Sequence, residues 1–378
     1  MAVSRRNLLR SAAAVVPALA VGGALPGAAS AAGAAQAQWQ LFPVSGGSGG
    51  GYAFNRLGLA PNGSATALAT YITFDGNSTE EEPAAFGFDG RTWESYRHSR
   101  FPDGTRPLNG LSVETGGAWG VGSRWNKQTM RDDAQILYWD GSTWADRTAG
   151  AAIGEPHDVD GTGADVWVVG GAKHPATGAV ALRRGGSGWT SVPLPSGLGA
   201  GARLLTVRVV AADDVWAGGF TAAEAFGTRT PLVLHWNGSS WKKLPNPFGT
   251  ANGQVSSLLS HGGALWAGGF TGPGIGGGVG DRAAVAAWNG GAWSSRTPAG
   301  LEASEATQLA AYGSEVWVAG RRTPLQRWTG GSWSPAAGPK PEPLTVGALA
   351  TAADGSLWLG GNTEGGSAYF FARLPAAS

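Results

Sequence analysis

The chain has 378 residues, of which 64 are Gly and 18 Trp, with no Cys, two Met, 14% charged residues and a formal net charge of +1. The missing cysteine excludes a disulfide framework, a thiolate metal site and a cysteine nucleophile. A hydrophobic fraction of 42% excludes wholesale disorder, and glycine without a three-residue period excludes collagen. So many turn formers and tryptophans with so few methionines point to an all-β chain with many tight turns.

The first segment reads MAVSRRNLLRSAAAVVPALAVGGALPGAAS. Arg5 and Arg6 stand ahead of Leu8 and Leu9, an apolar run follows from Ala12, and small residues suit a peptidase after Ala31 or Ala37. The segment resembles a twin-arginine export signal through its Ser-Arg-Arg-x-x-Leu core. Residues 1–37 are therefore expected to be a signal peptide, and 38–378 a mature, secreted, extracellular domain. Pro17, Gly22 and Gly23 make the run too weak for a comfortable membrane span. Removing the segment leaves 24 basic against 26 acidic residues, so no nucleic-acid surface is expected. No stable membrane anchor is expected after cleavage.

Two short patterns then recur along the chain. GAWGVGS, DVWVVGG, DVWAGGF, ALWAGGF, EVWVAGR and SLWLGGN carry Trp119, Trp167, Trp216, Trp266, Trp317 and Trp358, spaced by 48, 49, 50, 51 and 41 residues. FDGRTW, WDGSTW, RGGSGW, WNGSSW, WNGGAW and WTGGSW end at Trp93, Trp144, Trp189, Trp241, Trp293 and Trp333. Each period of about fifty resolves into four strands: an alternating strand a such as Leu204–Val210, the VWxxGG strand b, a strand c such as Leu232–Trp236, and a strand d. Asn-Gly, Asp-Gly or Gly-Gly makes a tight hairpin between c and d. Four short antiparallel strands per such period predict a propeller blade.

In repeat one, which begins at Tyr52, strand b is expected at Ala67–Phe74 and strand c at Phe86–Phe88. The last repeat has strand a (Leu344–Thr351), b around Trp358 and c (Tyr369–Leu374), but no d. The mature N-terminus, QWQLFPV, looks like a d strand, so residues 39–44 are expected to pair with the last blade and close a seven-bladed β-propeller. Strand c ends in Trp139, Trp236, Trp288 and Trp328, so seventeen of the eighteen tryptophans have a place in the repeat. Trp125 does not.

The order of apolar pair, Gly-Gly in strand b, late aromatic in c and Trp in d resembles kelch-type propellers over nearly all of the mature chain. It departs in a shorter c–d hairpin and in Trp where that repeat usually has Tyr. A weaker resemblance to tectonin-type lectin propellers comes through segments such as EVWVAGRRTPLQRWTGGSW. These resemblances imply the fold and little of the function. Galactose-oxidase-like copper chemistry needs a Cys–Tyr crosslink, and sialidase Asp boxes and quinoprotein docking motifs do not occur.

Variation between repeats is the signal left for function. The segment GSRWNKQTMRDDA, expected as the b–c loop of blade 2, holds Trp125, Arg124, Lys127, Arg131, Asp132 and Asp133, a set suited to a sugar ring or an anion. Blade 1 carries Glu80, Glu81 and Glu82, a solvated charge run or a group facing the neighbouring basic loop. Strand a of blade 3 replaces apolar residues by Glu155, His157, Asp158 and Asp160, either hydrated channel lining or, through His157 and Asp158, an acid–base pair. His174, on a loop of the same blade, and Arg208 of blade 4 are further ligand-binding candidates, and Arg321 and Arg322 sit in the b–c loop of blade 6. His98, His235 and His261 are expected at strand ends or turns. Gly272, Gly274 and Gly277 match GxGxxG only as low-complexity glycine. No metal or cofactor is expected.

One site is expected at the channel mouth between blades 2 and 3, lined by Trp125, Arg131, His157 and Asp158. Two classes of function remain open. A secreted monomer could bind a glycan, cell-wall polymer or small extracellular metabolite. Alternatively, a lyase, hydrolase or cyclase could use the blade-3 pair. A protein-interaction scaffold is a third, lesser option.

Overall fold

The computed structural model describes residues 38–377 apart from 45–49, 75, 98–99, 174–175, 187, 225–226, 251, 273–281, 299–307, 321–322, 341–344 and 364–367. Among the described residues the regular structure is 28 strands in seven four-stranded antiparallel sheets, without an α-helix. Six blades run a-b-c-d in chain order, as in blade 4: Arg203–Ala211, Asp214–Thr221, Thr230–Trp236 and Trp241–Lys243. The seventh takes Thr345–Thr351, Leu357–Asn362 and Tyr369–Leu374 from the C-terminal end and its outer strand, Gln40–Val44, from the N-terminal end. That strand pairs in register from Gln40 opposite Arg373 to Val44 opposite Tyr369. The ring is a closed seven-bladed propeller, as the repeat count predicts.

The recurring residues have specific work. In strand d of blade n, the tryptophan meets the strand-b tryptophan of blade n − 1 edge-on. The pairs are Trp39–Trp317, Trp93–Trp358, Trp189–Trp119, Trp241–Trp167 and Trp333–Trp266, with ring centroids 5.3–6.5 Å apart. Four of these contacts or their equivalents add a hydrogen bond from the indole N–H to a carbonyl of the preceding blade: Trp39 to Ala337, Trp189 to Arg147, Trp293 to Pro245 and Trp333 to Arg296. Blade 1 has Thr66 where other blades have the strand-b tryptophan, so Trp144 of blade 2 stacks instead on Phe101 from the blade 1–2 connection, with planes 7° apart.

The glycine three residues after the strand-b tryptophan answers a different need. Strand a carries a β-bulge between Pro156 and Asp158, Leu204 and Thr206, and Val255 and Ser257. The bulge drives a carbonyl into strand b: a Cβ at Gly170, Gly219 or Gly269 would lie 2.0, 2.1 or 1.9 Å from the oxygen of Glu155, Arg203 or Gln254. In the c–d hairpins, the Oδ1 of Asp140 or Asn237 accepts backbone N–H groups two and three residues on, and Gly141 and Gly238 take φ of 96° and 90°.

Two predicted elements are longer than expected. Strand c of blade 1 spans Thr79–Phe88, so Glu80–Glu82 lie on a strand. The expected loop of blade 2 is a hairpin of Gly117–Asn126 and Arg131–Trp139. Asn126 Oδ1 caps its turn through the N–H groups of Gln128 and Thr129, and Met130 closes it at φ 54°.

Removal of Trp39–Val44 should strip blade 7 of its outer strand and lower Tm sharply; melting of the shortened chain at the wild-type temperature would refute the closure. Trp241, 6% exposed, should cost about 3–5 kcal/mol on mutation to Ala. Half-buried Trp125 should cost under about 1 kcal/mol. Urea unfolding of the two variants measures the order.

Candidate functional site

The two longest b–c hairpins are neighbours, in blade 1 (Ala65–Phe74 with Thr79–Phe88) and blade 2. Between them lies a groove of about 350 Å³ lined by Glu81, Glu82, Pro83, Gly104, Thr105, Arg106 and Trp125. One wall is the acidic strand of blade 1. The other is the connection into blade 2, which runs along strand b through hydrogen bonds from Trp125 N to Gly104 O and from Arg106 N to Ser123 O, both 2.8 Å. Arg106 holds its guanidinium 5.3 Å from the centre of the Trp125 ring and 3.3 Å from Asp132. Asp132 stands opposite Trp125 in the hairpin. The ring is therefore flanked on one side by a cation already paired with Asp132, and Glu81 and Glu82 line the opposite wall.

The other hairpin candidates lie around this groove. Arg124 is exposed and 3.7 Å from Asp146, Asp133 accepts a hydrogen bond from Asn126, and Lys127 and Arg131 are exposed at and beside the turn. The exposed Phe74 and Met130 end the two hairpins. Of the other histidines, His235 is 2.9 Å from Asp214 and stacked on Trp216, and His261 ends strand a of blade 5.

His157 and Asp158 are elsewhere. His157 is the bulged residue of strand a in blade 3. The equivalent positions face the following blade: Asn55 of blade 1 donates to Leu108 O, and a Cβ on Gly347 would touch Phe54 O. Burial lowers the His157 pKa, with Arg203 and Arg56 acting in the same direction and Glu155 against it. Asp158 is buried; its Oδ2 accepts the Val207 N–H of blade 4 at 3.0 Å, and its Oδ1 is 4.0 Å from Arg56 of blade 1. Two residues on, Asp160 accepts the Val209 N–H at 2.7 Å and is 3.7 Å from Arg208, while Glu155 binds Arg203 at 2.7 Å. Glu155, Asp158 and Asp160 each bind blade 4, and Asp158 also faces Arg56 of blade 1. The structure thus gives two places rather than one: Trp125 lines the groove beside the blade 1 hairpin, and Asp158, preceded by the bulged His157, binds blade 4. His174, Arg321, Arg322, His98, Gly274 and Gly277 lie outside the described residues. No group of three or more His, Asp or Glu able to hold a metal occurs among the described residues.

Burial raises the Asp158 pKa to about 6, against the lowering influence of Arg56 and the Val207 hydrogen bond. A carboxyl raised on folding stabilises the fold fully below its unfolded pKa, and that contribution disappears as pH rises through about 6. His157, lowered on folding, acts oppositely over part of the same window. Comparison with Asp158→Asn isolates the carboxyl: wild type should gain up to about 3 kcal/mol relative to the variant between pH 8 and pH 4. Parallel stability–pH curves from urea unfolding would show that Asp158 is not the titrating group.

No family model and no curated protein matches the chain. Solved structures do. The structure titled "YCF48 bound to D1 peptide" aligns with TM-score 0.53 and 13% identity over 90% of this chain and 97% of that one. The WD40 β-propeller domain of Doa1 gives 0.54 and 11% over 89% and 97%. The β-propeller domain of the Trilobed protease from Pyrococcus furiosus, described as having an open velcro topology, gives 0.51 and 8% over 85% and 93%. At these identities the likeness is one of fold: a seven-bladed β-propeller.

Proposed function

We propose that this propeller is a non-catalytic binding protein, exported through the N-terminal twin-arginine segment, that takes a carbohydrate in the groove between the blade 1 and blade 2 hairpins. The observation that carries the reading is the Trp125 ring, the one tryptophan the repeat does not use, held beside Arg106 in a groove whose other wall bears Glu81 and Glu82. An aromatic face accepts the C–H side of a sugar ring, carboxylates accept from its hydroxyls and a guanidinium donates to them. The groove volume falls in the usual range for small-ligand sites. An anionic ligand suits it less well, because Asp132 already pairs with Arg106.

A thermal-shift and calorimetric screen of mature protein against neutral oligosaccharides (glucan, mannan and xylan fragments) tests this. The expected result is a Tm rise with at least one of them, and loss of about tenfold or more in affinity on Trp125→Ala. Binding that survives Trp125→Ala unchanged would move the ligand out of this groove. A structural neighbour's title records a bound peptide, so an extended peptide serves as the competing occupant in the same screen. Turnover of a bound sugar, abolished by His157→Ala or Asp158→Asn, would instead make the protein an enzyme.

A further inference from the structure

Among the described residues four large apolar side chains are exposed: Leu41, Phe74, Met130 and Val210. The two most exposed, Met130 at 68% and Phe74 at 54%, belong to the two hairpins that flank the groove. A lone exposed apolar residue is ordinary; two at the ends of the hairpins beside one groove mark a contact surface.

The fold asks for neither. Phe74 pairs with Thr79 at the last rung of its hairpin, with about half its surface in water. Met130 closes the other hairpin in the left-handed region, at φ 54°, where glycine or asparagine sits with less strain. The other described non-glycine residue with positive φ is an asparagine, Asn252. A methionine exposed at such a turn serves neither packing nor backbone, and its use lies outside the fold.

Register sets both tips next to the groove. Glu81 is the third residue of strand c in blade 1 and stands opposite Ile72. Phe74 lies two residues beyond Ile72 on the same face, about 7 Å further out at roughly 3.4 Å per residue. Trp125 is the last residue but one of strand b in blade 2, and Met130 adjoins Arg131, which pairs with Asn126. The groove therefore sits near the outer ends of both hairpins, with an apolar tip just beyond it on each.

We propose that the binding surface continues from the groove onto Phe74 and Met130, and that its ligand is a linear polysaccharide whose successive sugar units meet Trp125 and then the tips. The proposal rests on the carbohydrate reading of the groove. A sugar chain repeats its C–H faces unit after unit, so an aromatic ring and a flexible thioether further along meet the same surface that the tryptophan meets. A ligand confined to the groove gains nothing from residues about 7 Å beyond it, whereas a chain gains a second set of contacts within one binding event.

Residues 38–378 hold one methionine, Met130, so mature protein labelled at its methionine methyl gives a single NMR resonance, at the tip. The ligands are disaccharides and hexasaccharides of the glucan, mannan and xylan series. The recognised hexasaccharide should bind about tenfold or more tightly than its disaccharide and shift the Met130 resonance, which the disaccharide should leave in place. Phe74→Ser combined with Met130→Ser should melt as wild type, keep the disaccharide affinity and lose the gain on lengthening. Equal affinity for the two lengths, wild-type hexasaccharide affinity in the double variant, or a lowered Tm in it would each overturn the proposal, while the groove reading stands or falls on Trp125→Ala. A Met130 shift produced by an extended peptide and by no sugar would make the tips a peptide contact and overturn it as well. If no oligosaccharide binds the wild-type protein, the groove reading fails and takes this one with it.

Discussion

Each blade is held to the one before it by a tryptophan on its own outermost strand. The constraint is geometrical. Strand d can reach the strand-b tryptophan of the preceding blade only if every blade has a strand d, and the last repeat does not encode one. The segment around Trp39 meets that need from the other end of the chain, bringing both the missing strand and the indole that packs on Trp317 and donates to Ala337. Closure and inter-blade packing are thus one requirement. Side chains on the inner strands repeat the logic at smaller scale, with Asp158, Asp160 and Ser257 accepting backbone N–H groups of the following blade.

The groove follows from the place where this rule lapses. Blade 1 lacks a strand-b tryptophan, so Trp144 has no indole to meet, and Phe101 comes in from the connection between the blades to stack on it. A connection that must deliver Phe101 and Leu108 into the interface has a path unlike the others. That path carries Gly104–Arg106 along strand b of blade 2 to form one wall of the groove. The candidate site is therefore tied to a departure from the packing code rather than added on top of it.

The same contrast explains what could be read from the residues alone. The blade count, the closure and the roles of the tryptophans were legible because a packing requirement repeated seven times leaves a periodic trace. Trp125 stood out by having no place in the period. Arg106 did not, because pairing between a segment after Phe101 and strand b leaves no periodic mark; the acids of blade 1 read as either a solvated run or a group facing the next blade's basic segment, and their place on a strand that begins at Thr79 puts them on the groove wall. His157 and Asp158 looked like chemistry because polar residues on an inner strand can face the channel; the β-bulge at His157 and the Val207 N–H that Asp158 accepts from blade 4 are not visible in composition.

The strand that closes the ring also sets an order of events during synthesis. Gln40–Val44 is made near the beginning and its partner, Tyr369–Arg373, near the end, so the first strand of the domain waits unpaired while six blades form. The hydrogen bond from Trp39 to Ala337 spans 298 residues, and contacts of such separation are the slow ones in folding. Until Gln40–Val44 docks, strand c of blade 7 presents an open edge able to pair with another chain.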